Sequence, residues 1–164
     1  MFRSKNKKGF TLMEILIVMG IGILLMSISI FSISTARQKS RDGKRISDIN
    51  QIRLALEQFY DACGSYPNQL VSSANNGCTL STTFGKFLGQ IPTDPKTGVG
   101  YYYYAIGSGA DCYNYHIAAT LENASHAELS NDNDIIVSPG AACIGGGSFV
   151  SGADGSVYDF IPNR

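Results

Sequence analysis

Glu14 is the only charged side chain between Phe10 and Ile33. A carboxylate in an otherwise unbroken apolar run can hold a cation where water is scarce. Alone in hydrocarbon it is strongly penalised. Near a helix N-terminus the helix dipole favours it. Four cysteines follow at Cys63, Cys78, Cys112 and Cys143. No C-x2-C pair occurs, which argues for disulfides over a zinc site. An even count in a Gly/Ser-rich segment points to an oxidising compartment. Four cysteines allow three pairings, and short loops favour Cys63–Cys78 with Cys112–Cys143. Hard oxygen donors concentrate in Ser130-Asn131-Asp132-Asn133-Asp134. Asp132 and Asp134 are candidate ligands for a structural Ca²⁺, although EF-hand spacing fails beyond them. An acidic surface loop is the plainer reading, with no cofactor at all. His116 and His126 lie far from any G-x-S-x-G nucleophile pattern. No catalytic residue is expected, and the chain is not read as an enzyme.

These residues need elements to position them. Phe10 to Ile33 spans 24 residues, about 36 Å of helix. That exceeds the roughly 30 Å hydrocarbon core of a bilayer. A cleaved signal peptide has a shorter apolar part and a small-residue cleavage site. A transmembrane helix is therefore expected, and a plain signal anchor remains compatible with composition. Past Ile33 the pattern changes. Ile46, Ile49, Ile52, Leu56, Phe59 and Cys63 recur every three or four residues, one apolar helical stripe. Gly64-Ser65-Tyr66-Pro67 ends it. Pro92-Thr93-Asp94-Pro95-Lys96-Thr97-Gly98 marks a turn. Phe84 to Ile91 suits a short helix. Tyr101 to Ile106 and Tyr113 to Leu121 read as strands, with His116 on a polar face. Phe149-Val150 and Val157 to Phe160 flank a turn and suit a hairpin. The order is α+β: a long N-terminal helix followed by a small antiparallel sheet.

Charge sharpens the picture. Thirteen Lys and Arg balance 13 Asp and Glu, which by itself argues against a nucleic-acid protein. The balance hides segregation. Residues 1–9 carry +4, residues 37–53 carry +4 and residues 54–164 carry −7. The basic stretch 37–53 reads first as a solvated face beside lipid headgroups. It could also pair with acidic patches on neighbouring copies. DNA binding would need more phosphate contacts and stacking platforms. Basic residues on both flanks leave the positive-inside rule undecided. The cysteines place the C-terminal part outside.

Lys7-Lys8-Gly9-Phe10-Thr11-Leu12-Met13-Glu14-Ile15-Leu16-Ile17-Val18 resembles the processing site of type IV pilins and type II secretion pseudopilins. The resemblance implies cleavage after Gly9 by a prepilin peptidase and N-methylation of Phe10. Glu14 then becomes the fifth mature residue and serves assembly. The implied organisation is a leader at 1–9, a transmembrane and filament-core helix at 10–34, its amphipathic continuation at 35–63 and a pilin-like head at 64–164. The family usually has a Pro near mature position 22; here Phe31 stands there. Gly-x-Tyr-Pro and Pro-x-Asp-Pro are similar to segments of the major pseudopilin, whose relatives often bind calcium late in the chain. Expected partners are copies of itself, the peptidase, an inner-membrane assembly platform and, before assembly, the membrane. The expected destination is a surface filament. The main expectation is a pilin that polymerises through its N-terminal helix, with a major pseudopilin as alternative. A minor pilin that captures DNA or a surface ligand is a third reading.

Overall fold

The computed structural model describes residues 9–75, 78, 82–130, 143 and 155–162, with side chains for all of these except 28–32. The leader residues 1–8, the candidate ligands Asp132 and Asp134, and the Phe149-Val150 arm of the expected hairpin lie outside the described residues.

Helix α1 runs Leu12–Cys63. The chain divides into two compact units, Met1–Arg37 and Gln38–Arg164. In the first unit, α1 shows apolar side chains on every side. Leu12 is 84 % exposed and Ile23 is 69 % exposed. Such a surface is unstable in water and must be covered by lipid or protein. Among the described residues no helix is long and apolar enough to cross a membrane; the side chains of residues 28–32, inside the apolar run, lie outside them. The backbone stays helical through Phe31 without proline, and Ser27 donates to the Leu24 carbonyl at 2.8 Å.

In the second unit the expected stripe is the buried face of α1. Ile49, Ile52, Leu56 and Phe59 are fully covered, with Ile46 and Cys63 at the margin. Each such side chain stabilises by about 1.5–3 kcal/mol relative to exposure. The helix ends where Gly64 adopts φ +72° and its N–H bonds the Tyr60 carbonyl at 2.7 Å, a conformation glycine adopts without a Cβ penalty. The next residues anchor the helix to the sheet. Tyr66 N–H donates to the Cys112 carbonyl at 2.8 Å, and Cys112 N–H donates to Ser65 Oγ at 3.0 Å.

Three antiparallel strands follow: β1 (Tyr102–Ser108), β2 (Asp111–Thr120) and β3 (Val157–Phe160), in the order β1-β2-β3. Tyr103, Ala105, Tyr115, Ile117, Ala119 and Tyr158 join the helix stripe in one core. Instead of the expected helix, Phe84–Lys86 is a short 3₁₀ turn that stacks Phe84 against Phe59 at 5.9 Å between ring centroids. Strand β2 does not carry the polar face expected at His116. Tyr113 is exposed, while residues 115 to 119 are all buried, so both faces of the strand are covered. His116 accordingly sits at 1 % exposure with Nε2 3.2 Å from Asp159 Oδ2, rather than on a solvent face. The disulfides are Cys63–Cys78 and Cys112–Cys143, the short-loop pairing.

Candidate functional site

Two sites carry the chemistry, one in each unit. In the first, Gly9, Phe10 and Thr11 precede the helix and are exposed. Nothing lies within 4 Å of a Cβ placed on Gly9, and Phe10 is 79 % exposed. The Gly9–Phe10 bond therefore lies in non-helical, accessible backbone, as a peptidase requires. Thr11 caps the helix: Glu14 N–H donates to Thr11 Oγ1 at 3.2 Å. Thr-x-x-Glu is the spacing of a capping box, a signal available in the sequence but not used above. It explains locally why an acid stands in the first turn, where the dipole also favours it. The Glu14 carboxylate is exposed.

The second site is a cage of ion pairs that joins α1 to the loops. Arg45 has a side chain only 3 % exposed. Its Nε donates to Asp94 Oδ2 at 2.5 Å, and Nη1 donates to Asp42 Oδ1 at 2.6 Å and Glu122 Oε1 at 3.1 Å. Arg41 grips both oxygens of Glu122, Nε at 2.5 Å and Nη2 at 2.7 Å, the planar fork that favours arginine at carboxylates. Lys96 Nζ adds a third donor to Glu122 at 3.2 Å. Asp42 spans the gap between helix and strand end, accepting from Glu122 N–H at 2.9 Å and Asn123 N–H at 3.0 Å. One turn on, Asp48 accepts from Tyr101 Oη at 2.8 Å and Lys44 Nζ at 3.3 Å.

The loop that supplies Asp94 is built for it. Asp94 Oδ1 accepts from the N–H groups of Lys96 and Thr97 at 2.9 and 2.8 Å. Asp94 N–H donates to the Val99 carbonyl at 2.8 Å, and its own carbonyl takes Gly98 N–H at 2.8 Å. The Pro-Thr-Asp-Pro segment thus folds onto its aspartate and leaves Oδ2 for Arg45. The Arg45 hydrogen bond and the two loop N–H groups hold the Asp94 carboxyl well below its usual range despite burial. Arg41, with Lys96 and Arg45, lowers Glu122 from 4.5 to about 2. Burial alone would lower Arg45; its bonds to Asp94, Asp42 and Glu122 outweigh that and raise it. Burial and the Asp48 carboxylate push the Tyr101 phenol up.

This cage changes the reading of the basic stretch. Arg41, Lys44 and Arg45 are engaged within the chain. Arg53 lies 3.3 Å over the Phe160 ring. Lys44 nonetheless stays more than half exposed, and Arg37 and Lys39 of the same stretch are exposed. Asp42, Asp94 and Glu122 were missed as a cluster because their partners are 49 to 81 residues apart. Only the self-folded Pro-x-Asp-Pro turn was locally visible. Among the described residues, no group of three or more His, Cys, Asp and Glu is placed to hold a metal.

The prokaryotic N-terminal methylation motif matches residues 4–30. The chain carries the prepilin leader signature of type IV pilins and pseudopilins. The match takes in Gly9, Phe10 and Glu14 and most of the apolar run Phe10–Ile33. The rest of the chain is known from its own α+β architecture, a long N-terminal helix and a small antiparallel sheet. No curated protein and no solved structure matches the chain significantly.

Proposed function

We propose that the chain is a filament subunit. The leader 1–9 is removed by cleavage between Gly9 and Phe10, and the new amine on Phe10 is methylated. The head, 64–164, is carried outside the membrane. Residues 10–34 anchor the chain in the cytoplasmic membrane before assembly and form the filament core afterwards. The observation that carries this reading is the methylation motif over residues 4–30, which ends in an exposed apolar helix preceded by accessible Gly9–Phe10 backbone. The role is structural, and the partners are copies of the chain, the prepilin peptidase and the assembly platform. Two disulfides fit a head outside the reducing cytoplasm.

Glu14 supplies the assembly chemistry. Cleavage creates a positive amine at Phe10, and the Glu14 carboxylate of a neighbouring copy neutralises it. In a medium of low dielectric the pair attracts strongly, and an unpaired partner is penalised. Expression of Glu14→Ala tests this. Protein level and leader removal are expected to be unchanged while filaments are lost. Parental filament yield from that variant contradicts the role.

A second reading is the major pseudopilin of a type II secretion system. Gly64-Ser65-Tyr66-Pro67 and Pro92-Thr93-Asp94-Pro95 favour it by their similarity to segments of that protein, and both hold the head to α1. Surface fibres that retract support the pilin. Secretion that fails on deletion, without such fibres, supports the pseudopilin.

A further inference from the structure

The hairpin formed by β1 and β2 has two unlike ends. At its turn, the register slips between Ile106 and Gly107: Ile106 faces Asn114, but Gly107 faces Cys112. Tyr113 is the extra residue of this bulge. Bulges re-aim a side chain, and Tyr113 points into solvent at 53 % exposure. The backbone is committed to this shape, since a Cβ on Gly107 would meet the Asp111 carbonyl oxygen at 2.0 Å. Asp111, beside it, is exposed and makes no ion pair among the described residues. The turn therefore presents an aromatic ring and a carboxylate together, with no ion-pair partner for the carboxylate among the described residues.

At the other end of the hairpin, about 30 Å away by strand rise over Asp111–Thr120, lies an open pocket of about 360 Å³. Val99, Tyr102 and Leu121 give it apolar walls, and Lys96 stands at its margin with a side chain 58 % exposed. Val99 is itself 64 % exposed and Tyr102 46 % exposed. Arg45 also lines it, with its guanidinium held by Asp94, Asp42 and Glu122.

We infer that the β1–β2 turn of one copy, Asp111 with Tyr113, docks into the Lys96–Val99–Tyr102 pocket of a second copy. Ring meets apolar wall, and carboxylate meets ammonium. Knob and hole lie at opposite ends of one domain, so a single copy cannot satisfy both. The contact is heterologous, and where its rotation does not close a ring it produces an open polymer. The inference rests on the filament-subunit reading and names the head-to-head contact within it. Neither end lies in the apolar helix.

The test uses the full chain with a photo-reactive phenylalanine analogue in place of Tyr113, irradiated in its own membranes. The expected result is a ladder of copy-to-copy adducts whose cross-linked peptide contains residues 96–102 or 119–122. Adducts through other peptides, or to other proteins or lipid alone, overturn the inference. Charge exchange gives the second arm, at two exposed sites outside the ion cage. Val99→Glu and Asp111→Lys are each expected to lower the adduct about threefold, the size of one exposed charge pair. The combined variant is expected to restore it; failure to restore it contradicts the pairing. Tyrosine circular dichroism of each variant reports that the head is folded. Filament yield measured in the same cells separates the readings. Filaments without the adduct sink this contact alone, and an adduct without filaments sinks the filament reading alone.

Discussion

Replacing Arg45 by Met keeps the volume and removes the fork at the centre of the cage. Arg45 makes three bonds to carboxylates, to Asp94, Asp42 and Glu122. Bonds to charged groups contribute about 1.5–3 kcal/mol each, but the three share one guanidinium and do not add. The carboxylates also retain donors. Asp94 keeps the N–H groups of Lys96 and Thr97. Asp42 keeps those of Glu122 and Asn123, and Glu122 keeps Arg41 and Lys96. The loss is therefore expected at the low end of a broken buried pair, about 3 kcal/mol. Domains are stable by only about 5–15 kcal/mol, so the shift is large. Urea unfolding of the full chain in detergent measures it. All nine tyrosines lie in the second unit and tryptophan is absent, so near-ultraviolet dichroism reports on the head alone. The deficit is expected to shrink as pH falls from about 4.5 toward 2, where Glu122 protonates and no longer needs the arginine. A variant within about 0.5 kcal/mol of the parent at pH 7, or a deficit that persists unchanged at pH 2, refutes the reasoning.

The parent chain itself carries a related acid signature. Glu122 has a folded value of about 2 against 4.5, so its contribution is complete above pH 4.5 and is lost as pH falls toward 2. The drop is at most about 3 kcal/mol, and pH-dependent urea midpoints that stay flat across that window would count against it. Gly107→Ala forces the bulge open, because its Cβ would overlap the Asp111 carbonyl; the expected cost is about 2 kcal/mol, read as a lower urea midpoint at unchanged slope. Removing Cys63–Cys78, with its separation of 15, is expected to cost about 3 kcal/mol by loop entropy. Removing Cys112–Cys143 is expected to cost more, since its loop is longer and both cysteines are buried. Equal melting of the two double-alanine variants would contradict that order.

How much of this was legible depended on sequence distance. The apolar stripe from Ile46 to Cys63, the glycine stop at Gly64 and the two pairings of nearby cysteines rest on local spacing, and the structure contains each of them. Gly9, Phe10 and Glu14 fall within one short motif, and the methylation-motif match covers all three. The ion cage was not legible, because Arg45 reaches Asp94 and Glu122 only once the sheet is folded onto α1. His116 was misplaced for a related reason. Alternation predicts which side of a strand a residue takes, but not that both sides are covered. Tyr113 looked like a core position until the bulge turned it outward.

Net charge is zero over the whole chain. The proposed loss of residues 1–9 would remove four basic residues and leave side chains at −4. The cage then holds Arg41, Lys44, Arg45 and Lys96 against Asp42, Asp48, Asp94 and Glu122, an internally neutral set. Arg41 and Arg45 of the basic stretch thus fasten α1 to the loops that carry Asp94 and Glu122. Arg37, Lys39, Lys86 and Asp111 are among the exposed charges of the described residues.

Mass spectrometry of the N-terminal peptide from sheared surface filaments tests the central claim most directly. The account predicts a chain that begins at N-methylated Phe10, with residues 1–9 absent. Filaments built from a chain that still carries Met1 to Gly9, or one that begins at an unmodified residue elsewhere, would contradict it.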